Sequence, residues 1–231
     1  MKHKSKIKER ISQKAAEILL DIGAINFNIK KPFKLTSGKL SPIYCDCRRI
    51  ISFPDQRMKL INYAVTLLRE KSYFNSIDNI AGGETAGIPF AAFISYKLKL
   101  PMTYIRKKSK EFGRKEQVEG IVKNKQKVVL VEDLITDGGS KWNFVESLIT
   151  KKAIVTAVLV IFNYGIFTNK LNYRNKSIDL IYLTNWRSVL EVAMLKNKIN
   201  EKEIEIIQKF LDDIGVKNIG VKNLKSFQQI L

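Results

Sequence analysis

The segment 128–140, VVLVEDLITDGGS, sets the tightest limit on how this chain folds. Its first four residues are apolar without alternation. A strand with one solvated face alternates, whereas a run that is apolar throughout suits a strand covered on both faces, as in parallel sheets. The run stops at two adjacent carboxylates, Glu132 and Asp133. It then turns through Thr136, Asp137, Gly138, Gly139 and Ser140 into residues 140–152, which are spaced as a helix. A strand that ends in charge and a glycine turn presents its carboxyl end as a ligand edge, the place where open α/β sheets bind small molecules.

The rest of the chain repeats this grammar. Residues 77–81 (IDNIA) read as a strand that runs into a second glycine turn, GGETAG, and then a helix, IPFAAFISYKL. Further strands are expected at 101–106, 153–162 and 178–184. Helical spacing marks 6–22, through Ile7, Ile11, Ala15, Ile18, Leu19 and Ile22, with Gly23 as its stop. A second helix opens at Phe53-Pro54-Asp55 and runs to about Lys71, and two more lie near 188–197 and 201–213. Strands alternating with helices predict an α/β chain with a mostly parallel, twisted sheet flanked by helices. Three parts are expected: 1–50, a helix followed by strand, turn and strand; 51–165, the core, with a charged aperiodic loop at 106–119; and 166–231, a strand, helices and a basic tail that complete the domain.

Composition removes several alternatives. The formal charge is +19, from 41 Lys and Arg against 22 Asp and Glu. The lysines are spread along the whole chain, and no aromatic RNA-binding pattern or zinc-finger spacing accompanies them. The charge therefore favours an anionic substrate over a nucleic acid. Cys45 and Cys47 are the only cysteines and His3 the only histidine, too few for a structural zinc site or a disulfide framework. The C-x-C reads as a reduced pair on a strand. No window approaches the roughly 18 apolar residues of a membrane helix, and no apolar stretch follows the basic N-terminus, so a cytoplasmic location is expected.

The two halves of the 128–140 segment suit different chemistry. Backbone N–H groups of the 136–140 turn, together with a helix N-terminus, form an anion nest. Gly138 and Gly139 allow close approach, and Thr136 and Ser140 add hydroxyls. The carboxylates suit sugar hydroxyls or hydrated Mg²⁺. A phosphate site beside a diol site describes a phosphorylated ribose. The spacing is neither a Walker A loop nor G-x-G-x-x-G.

With four apolar residues, two acids, two apolar residues and then T-D-G-G-S, the segment closely resembles the 5-phosphoribosyl 1-pyrophosphate (PRPP) motif of type I phosphoribosyltransferases. Two more blocks narrow the resemblance. FKLTSGKLSPIYCDCRR (33–49) is similar to the base-binding segment of orotate phosphoribosyltransferases. GGETAGIPFAA, followed by YIRKKSKEFGRKEQVEG, is similar to that family's pyrophosphate loop and catalytic lid. The resemblance implies the type I phosphoribosyltransferase fold with a small N-terminal hood that binds the base. It implies transfer of ribose 5-phosphate from PRPP to orotate, in pyrimidine biosynthesis. It implies Mg²⁺ held mainly through PRPP, with Asp133 contributing through water. It also implies a homodimer in which the lid of one subunit closes over its partner's site.

Residue by residue, the resemblance gives Glu132 and Asp133 to the ribose hydroxyls. The following Leu134, Ile135, Thr136, Asp137, Gly138, Gly139 and Ser140 go to the donor and its 5-phosphate. Glu84, Thr85, Arg106, Lys107 and Lys110 go to the pyrophosphate, and Tyr44, Cys45, Arg48 and Thr136 to orotate. Lys110, Arg106 and Asp133 are the catalytic expectations. The chain also departs from the family pattern. Phe112 stands where the lid often has histidine, and Ala86 and Thr36 stand where lysines are common. FNYGIF replaces the stretch whose arginine contacts the orotate carboxylate, for which Arg48 or Arg49 is the expected substitute. The competing readings are a purine or uracil phosphoribosyltransferase, and a nucleic-acid-binding regulator on the same fold.

Overall fold

The computed structural model describes residues 2–35, 38–108, 116–136, 139–216 and 219, apart from the side chains of 2–4 and 140. Helix α1 (Lys2–Asp21) starts four residues earlier than its apolar spacing predicts, and the chain leaves it at Gly23. Two small antiparallel pairs follow. β1 (Ile25–Phe27) pairs with β4 (Ile43–Cys45), and inside that pair β2 (Phe33–Lys34) meets β3 (Leu40–Ser41). The chain then forms a 3₁₀ turn at Cys47–Ser52, where the sequence suggests no element. Cys45 thus lies on a strand while Cys47 does not. Pro54 is the first residue of α2 (Pro54–Arg69), where its missing N–H costs nothing.

The main sheet has seven strands among the described residues, in the order β10-β11-β9-β8-β5-β6-β7. The inner five are β5 (Asn79–Gly83), β6 (Met102–Ile105), β8 (Lys127–Ile135), β9 (Ile154–Asn163) and β11 (Lys176–Asn185). They run parallel. The edges are antiparallel: β7 (Val118–Glu119) on β6, and β10 (Lys170–Tyr173) on β11. The sequence reading missed both, since two paired residues and KLNY are too short to show a period. It also ended β8 at Glu132, whereas pairing with β9 continues through Leu134 and Ile135.

Helix α3 (Gly87–Leu98) links β5 to β6, and α4 (Gly139–Thr150) links β8 to β9. The pleat sorts the core accordingly. Val129 and Val131 of β8 join Phe90, Ala91 and Ile94 of α3 in one buried cluster with α1 and α2. Val128 and Leu130 join Phe144, Val145 and Leu148 of α4 in the other. Helices α5 (Trp186–Leu195) and α6 (Glu201–Asp213) close the first cluster. α6 begins with a capping box between Asn200 and Glu203. From β5 the chain goes first to β6 on one side, then crosses to β8 on the other. The topological switch point therefore lies between β5 and β8, at their carboxyl ends.

At the opposite end of the sheet Asp179 ties three segments together. Its carboxylate accepts from Lys71 at 3.0 Å, from the Tyr73 hydroxyl at 2.9 Å, and from Lys170. Burial pushes this carboxyl up, but the hydrogen bonds from Lys170, Lys71 and Tyr73 outweigh it and hold it at about 2. An acid so depressed stabilises the fold above its unfolded value of about 3.9 and loses that contribution as pH falls toward its folded value. Asp179→Asn should therefore lower stability at pH 7 by about 1 kcal/mol, a figure kept small by the exposure of the lysines. Thermal melts of the two proteins should converge as pH falls from about 4 to 2.

Candidate active site

Two loops meet at the switch point. Strand β5 ends in Gly83 and passes through Glu84, Thr85 and Ala86 into α3, with the Glu84–Thr85 peptide cis. Strand β8 ends at Ile135 and passes through Thr136 into α4, which begins at Gly139. The two loops pack very closely. A Cβ added at Gly87 would lie 2.2 Å from the Val131 carbonyl oxygen, and one added at Gly83 would lie 2.1 Å from Glu132 Oε1.

The two acids part company. Consecutive strand residues face opposite sides of the sheet, and Glu132 and Asp133 obey this. Glu132 turns toward α4, where its Oε2 lies 3.1 Å from Lys141 Nζ. It is 4% exposed and Lys141 8%. Burial pushes the Glu132 carboxyl up to about 7; Lys141 opposes this and Asp133 adds to it. Asp133 turns to the other face, within electrostatic reach of Arg48, Cys47 and Tyr164. Its Oδ1 accepts from the Leu134 N–H at 2.8 Å, and burial raises its pKa. The side chains of Leu134 and Ile135 are taken up by the two cores, and the Ile135 carbonyl accepts from the Tyr164 N–H at 2.9 Å.

The lid stem is built from both limbs. The Lys107 N–H donates to Glu84 Oε2 at 2.7 Å, which ties the stem to the β5 loop. Gln117 Nε2 donates to the carbonyls of Arg106 and Lys107 at 3.1 and 3.2 Å, and Asn143 Nδ2 of α4 reaches the Lys107 carbonyl at 3.2 Å. The Arg106 guanidinium lies 4.0 Å from Glu119 Oε1 across the stem. The expected aperiodic loop thus ends in a short strand. Lys110 and Phe112 of the lid, Thr36, Asp137 and Gly138 lie outside the described residues, as does the Ser140 side chain.

On the acceptor side, Arg48 is exposed on the 3₁₀ turn and pairs with Asp46 through Nε at 2.8 Å. The Tyr44 ring sits 5.6 Å from that of Phe33. Cys45 and Cys47 are buried, their sulfurs 3.6 Å apart, so Cys45 turns its thiol into the core. Arg49 faces away, donating to the Ile22 carbonyl at 3.2 Å. Tyr164, from the FNYGIF stretch, is held edge-on by Phe162 and Trp186 at 5.6 and 5.5 Å.

Among the described residues no three His, Cys, Asp or Glu side chains gather as a metal site. The partly buried Asp133 carboxylate at this edge would suit Mg²⁺ carried largely by substrate oxygens, the usual mode for this cation. The sequence reading missed Lys141 and Gln117. Lys141 had a visible signal, because a cation in the first turn of a helix opposes the macrodipole and needs a carboxylate to hold it. Gln117 had none.

The close approach of the two loops yields a test. Gly87→Ala places a methyl group against strand backbone that cannot yield, so it should cost about 1–3 kcal/mol in denaturant unfolding. Donor affinity should fall with it, because α3 must shift away from β8.

Comparison with known proteins agrees with this geometry. A model of the phosphoribosyl transferase domain matches residues 54–182. An orotate phosphoribosyltransferase of Ruegeria sp. is 45% identical over 207 residues, covering 89% of this chain and 91% of that protein. The structure of Leishmania donovani UMP synthase matches with a TM-score of 0.70 and 25% identity, over 87% of this chain and 42% of that longer one. The orotate phosphoribosyltransferase of Aeropyrum pernix shares the fold, with a TM-score of 0.61 and 24% identity over 80% and 99%. With two glycine loops meeting at the switch point and a relative matched over almost its whole length, the chain belongs to the orotate phosphoribosyltransferase family.

Proposed function

We propose that this chain transfers ribose 5-phosphate from PRPP to N1 of orotate, giving orotidine 5′-monophosphate and pyrophosphate, in the cytoplasmic synthesis of pyrimidine nucleotides. The observation that carries the reading is the meeting of the β5 loop, the β8 loop and Asp133 at one edge of the sheet, opposite Tyr44 and Arg48. The N1 proton leaves orotate for solvent or the departing pyrophosphate, the bond from C1 to the pyrophosphate oxygen breaks with its electron pair going to pyrophosphate, and the N1–C1 bond forms.

No nucleophilic side chain is required. Glu132 and Asp133 hold the ribose diol and lie near the positive charge that develops at C1. The 136–140 turn holds the 5-phosphate, and the β5 loop with Thr85 meets the pyrophosphate. Arg106, Lys107 and Lys110 stabilise the charge gathering on the leaving group and exclude water. Asp133 is the protein group that would meet Mg²⁺ through water, and the cation, when bound, would supply charge neutralisation on the pyrophosphate. Arg48 stands in for the arginine missing from FNYGIF and pairs with the orotate carboxylate.

An ultraviolet assay with PRPP, Mg²⁺ and one base at a time tests the acceptor. Turnover is expected with orotate and not with uracil or hypoxanthine; turnover with another base alone would reject the assignment. Arg48→Ala should raise the KM for orotate roughly tenfold or more while leaving that for PRPP nearly unchanged.

We also propose a homodimer whose lids cross between subunits. Lys110→Ala and Asp133→Asn should each be nearly inactive alone. Mixed after subunit exchange, they should regain activity, because one site per mixed dimer then has an intact lid and an intact carboxylate. A mixture as inactive as its parts would place the lid over its own subunit's site.

A further inference from the structure

We infer that Gln117 is a positioning residue: oriented by Ser147 and assisted by Asn143, it fixes the backbone of Arg106 and Lys107 so that the Lys107 ammonium is presented to the pyrophosphate end of the donor. The inference rests on the donor-site reading above and is independent of which base is used. Three observations carry it.

First, the Gln117 amide is fully used. Its Nε2 donates to the Arg106 carbonyl at 3.1 Å and to the Lys107 carbonyl at 3.2 Å, and its Oε1 accepts from the Ser147 hydroxyl at 2.9 Å. This pattern allows one orientation. Turned over, the amide would set its oxygen against two carbonyl oxygens. The backbone adds a further bond, from the Arg106 N–H to the Gln117 carbonyl at 2.9 Å.

Second, the backbone of Lys107 is held by separate elements. Its N–H donates to Glu84 Oε2 of the β5 loop at 2.7 Å, and its carbonyl accepts from Gln117 Nε2 and from Asn143 Nδ2, each at 3.2 Å. Asn143 and Ser147 lie one turn apart on α4 and share a face. The base of the stem is therefore tied both to the loop assigned to the pyrophosphate and to the helix whose first turn is assigned to the 5-phosphate.

Third, the Lys107 side chain is exposed, and among the described residues no carboxylate pairs with it. Its charge is nevertheless felt at the carboxyl end of β8: burial raises the Glu132 carboxyl, and Lys107 is among the cations that oppose this. A long side chain without a partner is placed only as well as its backbone. Fixing that backbone is what aims the ammonium.

The test uses Gln117→Leu, Ser147→Ala, Lys107→Met and the double variant Gln117→Leu/Lys107→Met. Calorimetry with Mg²⁺ reads the affinity for PRPP, which carries the pyrophosphate, and for ribose 5-phosphate, which does not. The orotate assay reads turnover, and thermal melts read folding. Gln117→Leu should lower kcat/KM for PRPP roughly tenfold or more and weaken PRPP binding, with the affinity for ribose 5-phosphate unchanged. Ser147→Ala should act in the same direction by less. In the Lys107→Met background, Gln117→Leu should cost little more, because the group it positions is gone.

Equal losses for PRPP and ribose 5-phosphate, or full additivity of Gln117→Leu with Lys107→Met, would make Gln117 a general support of the fold and overturn the inference. So would PRPP binding by Gln117→Leu as tight as that of wild type. If Gln117→Leu does not fold, Ser147→Ala decides by the same split between the two ligands, alone and combined with Lys107→Met. A wild type that binds no PRPP would sink the donor reading and the inference with it. PRPP binding without turnover of orotate removes only the acceptor assignment, and the affinities still test Gln117.

Discussion

The active edge depends on one close approach between backbones, that of the start of α3 to the end of β8. The Val131 carbonyl stands where a side chain on Gly87 would begin. This contact brings the β5 loop and the β8 loop together at the point where the chain changes its direction of winding across the parallel sheet. Had α3 started farther out, the two glycine turns would be separate features at the ends of neighbouring strands. On the proposed reading, a single substrate with phosphate at both ends spans them.

Around that contact the protein places unlike environments on the two faces of β8. Toward α4 lie Phe144, Lys141 and a sealed carboxylate. Toward the 3₁₀ turn lie Arg48, buried thiols, the Tyr164 ring and a carboxylate at the open edge. Two acids one residue apart thereby take different surroundings. Burial acts on both, but Lys141 stands directly against one, while the Leu134 N–H is the nearest bonded partner of the other.

Much of this was legible in the sequence, and for local reasons. The unbroken apolar run of 128–131 marked a doubly covered strand, the glycine turns marked strand ends, and Pro54 marked a helix start. The site loops followed from the same signals. Side-chain partners were less legible. Adjacent acids invite a reading as a pair, although pleating separates them once the strand is known to run through Asp133 to Ile135. Strand β10 carries only Leu171 and Tyr173 as apolar signals and is recruited by Trp142, whose ring stacks on Tyr173 at 5.2 Å. Gln117 matters through backbone carbonyls, which no sequence pattern reports. The FNYGIF departure hid an aromatic triad whose third member, Trp186, lies on another element.

Strand β7 has a consequence of its own. It is two residues long, it forms the returning limb of the lid, and it is the outermost strand of the sheet on its side. Unpaired edge strands template association with other chains. Any motion of the lid that parts Glu119 from Tyr104 and Val118 from Ile105 would bare the N–H and C=O groups of β6 to solvent. This short strand thus shields the edge of β6 against sticking to its neighbours. Sequence change there is constrained by solubility as much as by turnover.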